Sequence, residues 1–423
     1  MSSLIVQPHP ADAPGLSTRA IQHAIDAVHA GGGGRVVLPA GDWLTGTITL
    51  RSHVELHLAA GARLLASENP ADYPNTAHCC LIEAFDARGV ALSGTGAIDG
   101  RGTRFMEREE PYIFRYGPFR PRLIGLVRCQ QVSIRDITLH HAAMWGLHLS
   151  GCEYVHIHAI TILNHLKIPN CDGIDPDHCR HVRISDCHIE AGDDCIVLKN
   201  TRPFADCGPT EDITITNCTL CSTSAAIKIG TESVDDFRRI AISNCTIRDS
   251  SRGIALQLRD HGSIEQVRIS DCIIQTRLFF DNWWGRAEPI YITAIHRDEA
   301  SPLGRIRDVH IRGIQAQSEN GIFLAGSADS ILENILLSEI DLTVDKRSKW
   351  PGGQHDRRPS RGGEFVGLSD HPTSLLYGQY VWGLRVSNAR LRFGPAMREQ
   401  AYCGQPIELE HAEGTRLDQV ELD

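Results

Sequence analysis

Three aspartates stand where this chain could do acid–base chemistry. Asp172 lies in Asn170-Cys171-Asp172-Gly173, and Asp193 and Asp194 lie in Gly192-Asp193-Asp194-Cys195. Each run leads straight into a short alternating segment, Gly173–His178 or Cys195–Asn200, and Asp193 follows Asp172 by 21 residues. Carboxylates crowded together resist simultaneous ionisation, so one of them keeps its proton to higher pH. A pair split into acid and base is what glycosidic cleavage needs, and inverting enzymes hold the two roughly 6.5–9.5 Å apart to admit a water. The same runs also suit ordinary turns, because Asp, Asn and Gly all favour them. The acid–base reading therefore depends on elements that stack the two runs.

A repeat supplies the stacking. The pattern apolar, any, apolar, polar, Asn/Asp/Gly, small, any, apolar begins at Val132, Val155, Val182, Ile213, Ile240, Val267, Val309 and Ile335, with a weaker copy at Leu384. The offsets are 23, 27, 31, 27, 27, 42 and 26. A second strand follows each copy, as in GLHLSG from Gly146, CIVLKN from Cys195 and AIKIGT from Ala226. Alternation with period two marks strands. A period near 27 with several short strands per turn marks an all-β chain, a parallel β-helix in which each coil pairs with the next. The residue just before each second strand then forms a column: Trp145, Asp172, Asp194, Ala225, Arg252, Glu288, Asn320. Asp172 and Asp194 fall on neighbouring coils, and Asp193 lies beside Asp194.

The rest of the chain fits one domain over residues 1–423. No linker or compositional break divides it. Residues 17–30 form a short capping helix: Ile21, Ala24, Ile25 and Val28 share a face, Ser17 is the N-cap, and Gly31–Gly34 end it. The longest irregular stretch, 343–378, carries Lys346, Arg347, Lys349, Arg357, Arg358 and Arg361, and is either a flexible insertion or a cleft wall. Cys187, Cys218, Cys245 and Cys272 hold one place in four copies and read as an inward ladder of small side chains. With 42 basic and 52 acidic residues the net charge is −10, which disfavours nucleic acid and anionic membranes as partners. The first residues lack a signal-peptide pattern, so the expectation is a cytoplasmic protein with free thiols. No metal or cofactor is expected.

NCDGID from Asn170 and GDDC from Gly192 resemble the paired NTD and GDD motifs of glycoside hydrolase family 28, the polygalacturonases and their relatives. GTGAIDGRG from Gly94, RPRLI from Arg120 and the N-terminal AIQHAIDAVHAGGGGRVVLPAG are similar to that family's early coils. The resemblance implies a right-handed parallel β-helix and inverting hydrolysis without a metal. It implies Asp193 as general acid, with Asp172 and Asp194 activating water. Two family features are missing. Where GHG is usual this chain has Thr223-Ser224-Ala225-Ala226, with no His, and where RIK is usual it has Ala255-Leu256-Gln257. The cations that would grip a galacturonate carboxylate are absent from their places.

Replacement substrate-binding residues are available: Lys228 on AIKIGT, Arg252 and Glu288 in the turn column, Trp283 and Trp284 in Asn282–Pro289, and Arg357 and Arg358 in the long stretch. The two tryptophans either stack on sugar or plug a gap between loop and coils. His178, in Asp175-Pro176-Asp177-His178, bears only a superficial likeness to an alginate-epimerase motif. The leading expectation is an inverting hydrolase of plant-derived oligosaccharide that prefers something other than ordinary polygalacturonate. The alternatives are a β-helix polysaccharide lyase or uronate epimerase, and a noncatalytic glycan-binding β-helix.

Overall fold

A computed structural model describes residues 2–7, 15–74, 78–280, 283–359 and 367–423. Arg361 and Asn282 lie outside these. The chain forms two compact units, Met1–Asp193 and Asp194–Asp423.

In the first unit each coil carries three short strands. Glu153–His158 pairs in parallel with Gln130–Arg135 on one side and Arg180–Ser185 on the other, with Val155 opposite both Val132 and Val182. Leu147–Ser150 lies between Arg122–Val127 and Ile174–Asp177. Thr161–Leu163 lies between Thr138–His140 and His188–Ala191. The second unit stacks likewise. Ile213 faces Ile240, Ile240 faces Val267, Val267 faces Val309, and Val309 faces Ile335. The first residues of the eight copies are all nearly inaccessible to solvent. Burying such a side chain contributes about 1.5–3 kcal/mol, so the repeat sets the register as well as the core.

The fifth position of the repeat turns the chain. Asp136, Ala159 and Asp186 in the first unit, and Asn217, Asn244, Asp271, Gly313 and Glu339 in the second, all have φ between 52° and 63°. Asn, Asp and Gly tolerate this left-handed backbone best, which is why they recur there. The cysteine ladder packs inward beneath these turns. Cys218, Cys245 and Cys272 each place Sγ 3.3 Å from the carbonyl two residues back. Cys187 does the same at 3.2 Å. A second ladder of Cys129, Cys152 and Cys179 follows the same rule and went unread in the sequence. All fourteen cysteines are free thiols.

The helix Thr18–Ala30 buries Ala20, Ile21, Ala24, Ile25 and Val28 against the first strands of its unit. Ser17 does not cap it through its side chain. Its N–H is instead donated to the Leu44 carbonyl, while its own carbonyl accepts from Ile21. Gly33, at φ 105°, closes the turn after the helix, where a Cβ would meet the His53 carbonyl at 2.6 Å. No helix among the described residues is long and apolar enough to cross a membrane.

Two antiparallel ribbons leave the coils. Met106–Glu109 pairs with Phe114–Tyr116 in the first unit. Gln354–Asp356 pairs with Leu368–Asp370 in the second, so the 343–378 stretch is not wholly irregular. It ends by rejoining the stack at Leu376–Trp382, opposite Ile322–Ala325.

Candidate active site

In the first unit the chain around Asp172 and Asp193 is held by the Asn164 and Arg120 side chains and by backbone hydrogen bonds. The Asn164 side-chain carbonyl accepts from the Ala142 N–H at 2.9 Å, and its amide donates to the carbonyls of Cys171 and Asp172. The Gly146 N–H donates to the Asp172 carbonyl at 2.9 Å. Arg120 donates to the Pro169 carbonyl at 2.7 Å and to the Asn170 side chain at 3.3 Å. Its guanidinium rests 3.8 Å from the centre of the Tyr116 ring, on the 106–116 ribbon. Asn170 has φ 55°, and its N–H is donated to Asp193 Oδ2 at 3.1 Å. Gly192 allows this approach, because a Cβ there would lie 2.5 Å from the Ile168 carbonyl and 2.6 Å from that of His165.

Asp172 and Asp193 are 2% and 8% exposed, so each is reachable only from one side. Their carboxylate oxygens approach within 4.8 Å. Successive coils lie ~4.8 Å apart, which brings carboxylates on neighbouring coils within reach of each other. Two carboxylates at this distance can share a proton, a water or a hard cation. Their charge is felt locally. Burial, then the two carboxylates, push the Cys171 thiol well above its usual range.

Outward positions beside Asp172 carry further polar groups. His148 Nε2 lies 3.1 Å from Asp177 Oδ2, and Ser150 Oγ lies 3.1 Å from the same nitrogen. Trp145 packs edge-on to His148, and the Arg122 guanidinium lies 4.9 Å from the Trp145 ring centre. His178 is 1% exposed beside Asp177, a packed position.

Asp194 opens the second unit, one peptide bond after Asp193. It is 1% exposed, accepts from the Ala225 N–H at 3.1 Å, and binds the Lys228 ammonium at 2.7 Å. Burial pushes this carboxyl upward, but the Lys228 and Lys199 charges and hydrogen bonds from Lys228 and Ser224 outweigh it. The net shift is downward, so Asp194 is held as a carboxylate. Lys228 thus faces outward, beside a catalytic candidate. Lys199, missed in the sequence, is 3% exposed and 3.8 Å from Glu232. The alternation of CIVLKN, which turns every second residue outward, could have found it.

The other proposed anchors meet one another. Arg252 is 4% exposed, paired with Glu288 at 3.2 Å and Asp356 at 2.8 Å, over the Tyr291 ring. Glu288 also accepts the Arg286 N–H at 2.7 Å. Arg358 binds Asp356 and the Trp283 carbonyl and covers the Trp284 ring. Arg357 donates to the Tyr377 hydroxyl and to Gln379, both at 2.7 Å. Trp283 is buried against Phe280 and plugs the gap, while Trp284 remains half-buried. Arg252, Glu288 and Arg358, expected to face a ligand, are instead committed to this internal network. Its hub, Asp356, went unread because it lies 104 residues from Arg252. Where the family's RIK cations would stand, Ala255 faces Tyr291, and Gln257 accepts from Arg259 at 3.4 Å.

Stacked parallel coils bearing a buried pair of neighbouring carboxylates define a parallel β-helix with a candidate acid–base site. The chain belongs to glycosyl hydrolases family 28, whose model matches residues 33–350. A probable polygalacturonase of Vitis vinifera is 33% identical over 244 residues, 52% of this chain and 49% of that protein. The chain therefore spans about half the length of that relative. Among solved structures, an exopolygalacturonase from Thermotoga maritima aligns with TM-score 0.69 at 21% identity, over 81% of this chain and 87% of that one. A family 28 exopolygalacturonase from Yersinia enterocolitica gives 0.67 at 17%, over 96% and 75%. These likenesses establish the fold as the right-handed parallel β-helix.

Proposed function

We propose that this protein is an inverting glycoside hydrolase acting on plant-derived pectic oligosaccharide, with Asp193 as general acid and with Asp172 and Asp194 activating water. The observation that carries the reading is the division of labour among carboxylates. Asp194 is kept ionised by Lys228, and so is suited to a base. Asp193 lies beside Asp172 and keeps 8% of its surface accessible, so like charge nearby favours its protonated form and a leaving oxygen can still reach it. Family membership supports hydrolysis over elimination. Fourteen free cysteines support a reducing, cytoplasmic setting.

The substrate differs from ordinary polygalacturonate. A desolvated sugar carboxylate needs a cation. Ala255 and Gln257 offer none, and Arg252 and Arg358 already hold Asp356. A neutral terminal sugar, or one whose charge is met from another direction, fits better. The test is incubation with pectic and neutral oligosaccharides, reading product masses. A new reducing end without an ultraviolet-absorbing unsaturated product supports hydrolysis. An unsaturated product would assign a lyase instead. Binding without turnover, unchanged by Asp193→Asn, would assign a glycan-binding protein.

A further inference from the structure

The peptide plane between Pro169 and Asn170 is held from both ends. Its carbonyl oxygen accepts from Arg120 Nη1 at 2.7 Å. Its N–H donates to Asp193 Oδ2 at 3.1 Å. A peptide is planar, so fixing its oxygen fixes the direction of its N–H. A cation on the carbonyl also polarises the amide and makes the N–H a stronger donor. Arg120, this peptide and Asp193 all lie in the first unit.

Arg120 is itself set by packing. Phe119, the residue before it, packs against the Tyr73 and Phe105 rings, with centres 5.3 and 6.0 Å away. The Tyr116 ring covers the guanidinium at 3.8 Å. Arg120 Nη2 donates to Asn170 Oδ1 at 3.3 Å, and Nη1 also reaches the Ala143 carbonyl at 3.4 Å. A guanidinium is a rigid fork, so bonds to Pro169 and Asn170 together set an angle as well as a distance. Asn170 takes φ 55°, which Asn accepts more readily than most residues. The ribbon grips the same chain upstream, where the Phe114 N–H donates to the Lys167 carbonyl at 2.9 Å.

A protonated carboxyl has one O–H donor and one carbonyl oxygen that accepts. The Asp193 oxygen that takes the Asn170 N–H is the accepting one, which leaves the proton on Oδ1. We infer that Arg120 is a positioning residue for the general acid. Through the 169–170 peptide it holds Asp193 Oδ2 and keeps the transferable proton on Oδ1. This rests on the hydrolase reading above. In the step it serves, that proton moves to the glycosidic oxygen as the bond from that oxygen to the anomeric carbon breaks. Water bonds to the same carbon and gives its proton to a second carboxylate.

The test compares two kinds of leaving group in the full chain. A sugar hydroxyl must be protonated as it leaves, whereas nitrophenolate leaves without a proton. The probes are oligosaccharides of polygalacturonan, rhamnogalacturonan and xylogalacturonan, and nitrophenyl glycosides of galacturonate, rhamnose and xylose. The best substrate of each kind for the wild type is carried to the variants. Arg120→Met should lower kcat on the oligosaccharide by about tenfold to 100-fold, the loss expected of a misplaced catalytic group. KM and turnover of the nitrophenyl glycoside should change little. Arg120→Lys, which keeps a donor but not the fork, should fall between. Asp193→Asn is the reference and should show the same split more strongly. The split in Asp193→Asn without one in Arg120→Met would overturn the positioning role and leave the hydrolase reading standing. Equal losses on both substrates in Arg120→Met, or a rise in KM alone, would also overturn it, because a disordered site or a lost substrate contact would then account for the effect. No turnover of any probe by folded wild type would overturn both. If Arg120→Met does not fold, Tyr116→Leu serves, since Tyr116 is 47% exposed and its loss uncovers the guanidinium. It should give a smaller split in the same direction, and unchanged kinetics would overturn the proposal.

Discussion

The Lys228 ammonium lies 2.7 Å from Asp194 Oδ2, inside a site where the carboxylate is 1% exposed. An opposite charge this close favours the ionised carboxylate and lowers its pKa. In Lys228→Met the burial that raises the Asp194 pKa is no longer opposed by its main partner. The acid limb of the kcat/KM profile should move to higher pH, and Lys228→Arg should restore part of it. An unmoved limb in Lys228→Met would detach Lys228 from Asp194 function.

The same pair affects stability. The folded-state pKa of Asp194 lies below its ordinary value. Its contribution is therefore present above the unfolded pKa, near 3.9, and is lost as pH falls through the folded value. Denaturant melts of wild type and Lys228→Met should differ at neutral pH and converge in acid. A gap that stays constant with pH would contradict this.

Gly192→Ala tests how the backbone aims Asp193. The new Cβ would lie 2.5–2.6 Å from two carbonyl oxygens, and backbone must move to admit it. Overpacking of this kind costs about 1–3 kcal/mol. We expect a lower Tm together with a fall in kcat of tenfold or more on the order of what displaced acid–base groups lose. Full activity would mean that Asp193 does not depend on this turn.

Much of the fold was legible because the repeat repeats for a physical reason. Ile213, Ile240, Val267, Val309 and Ile335 had to face one another if their coils were to share a core, and they do. The Asn/Asp/Gly position marked a left-handed turn that those residues accept most readily. Asp172 and Asp193 could be paired in advance because stacking follows from the period. What stayed hidden depends on partners distant in sequence. Arg252 looked free for a ligand, since nothing local announces that Asp356 reaches it from the ribbon. The 106–116 ribbon carries no repeat, and Ser17 stands at the N-cap without a side-chain cap hydrogen bond.

Asp356→Ala should be among the most destabilising single changes in the second unit. It leaves the Arg252 and Arg358 guanidiniums buried without their shared carboxylate. Breaking a buried pair costs about 3–5 kcal/mol. Chemical denaturation measures it, and a loss under about 1 kcal/mol would show that water or another group takes over.

Trigalacturonate tests the absence of the galacturonate anchors. With Ala255 and Gln257 in place of cations, kcat/KM should be far below ordinary enzyme values. A value near 10⁴ M⁻¹s⁻¹ or above, within the usual range, would contradict the neutral-sugar reading. Raised KM in Lys228→Met or Arg357→Met would then identify the cation that replaces them.

The most direct test of the account is kcat for Asp193→Asn on whichever oligosaccharide the wild type turns over, with the anomer of the first product read by proton NMR. The substitution removes the proton donor and hardly alters volume. The account predicts a fall of about 10²–10⁴-fold with unchanged thermal unfolding, and an inverted anomer from the wild type. The anomer matters because a carboxylate that activates water inverts the configuration, whereas one that attacks the sugar retains it. A loss of less than tenfold, or a retained anomer, would contradict the assignment of Asp193 as general acid to a water activated by Asp172 and Asp194.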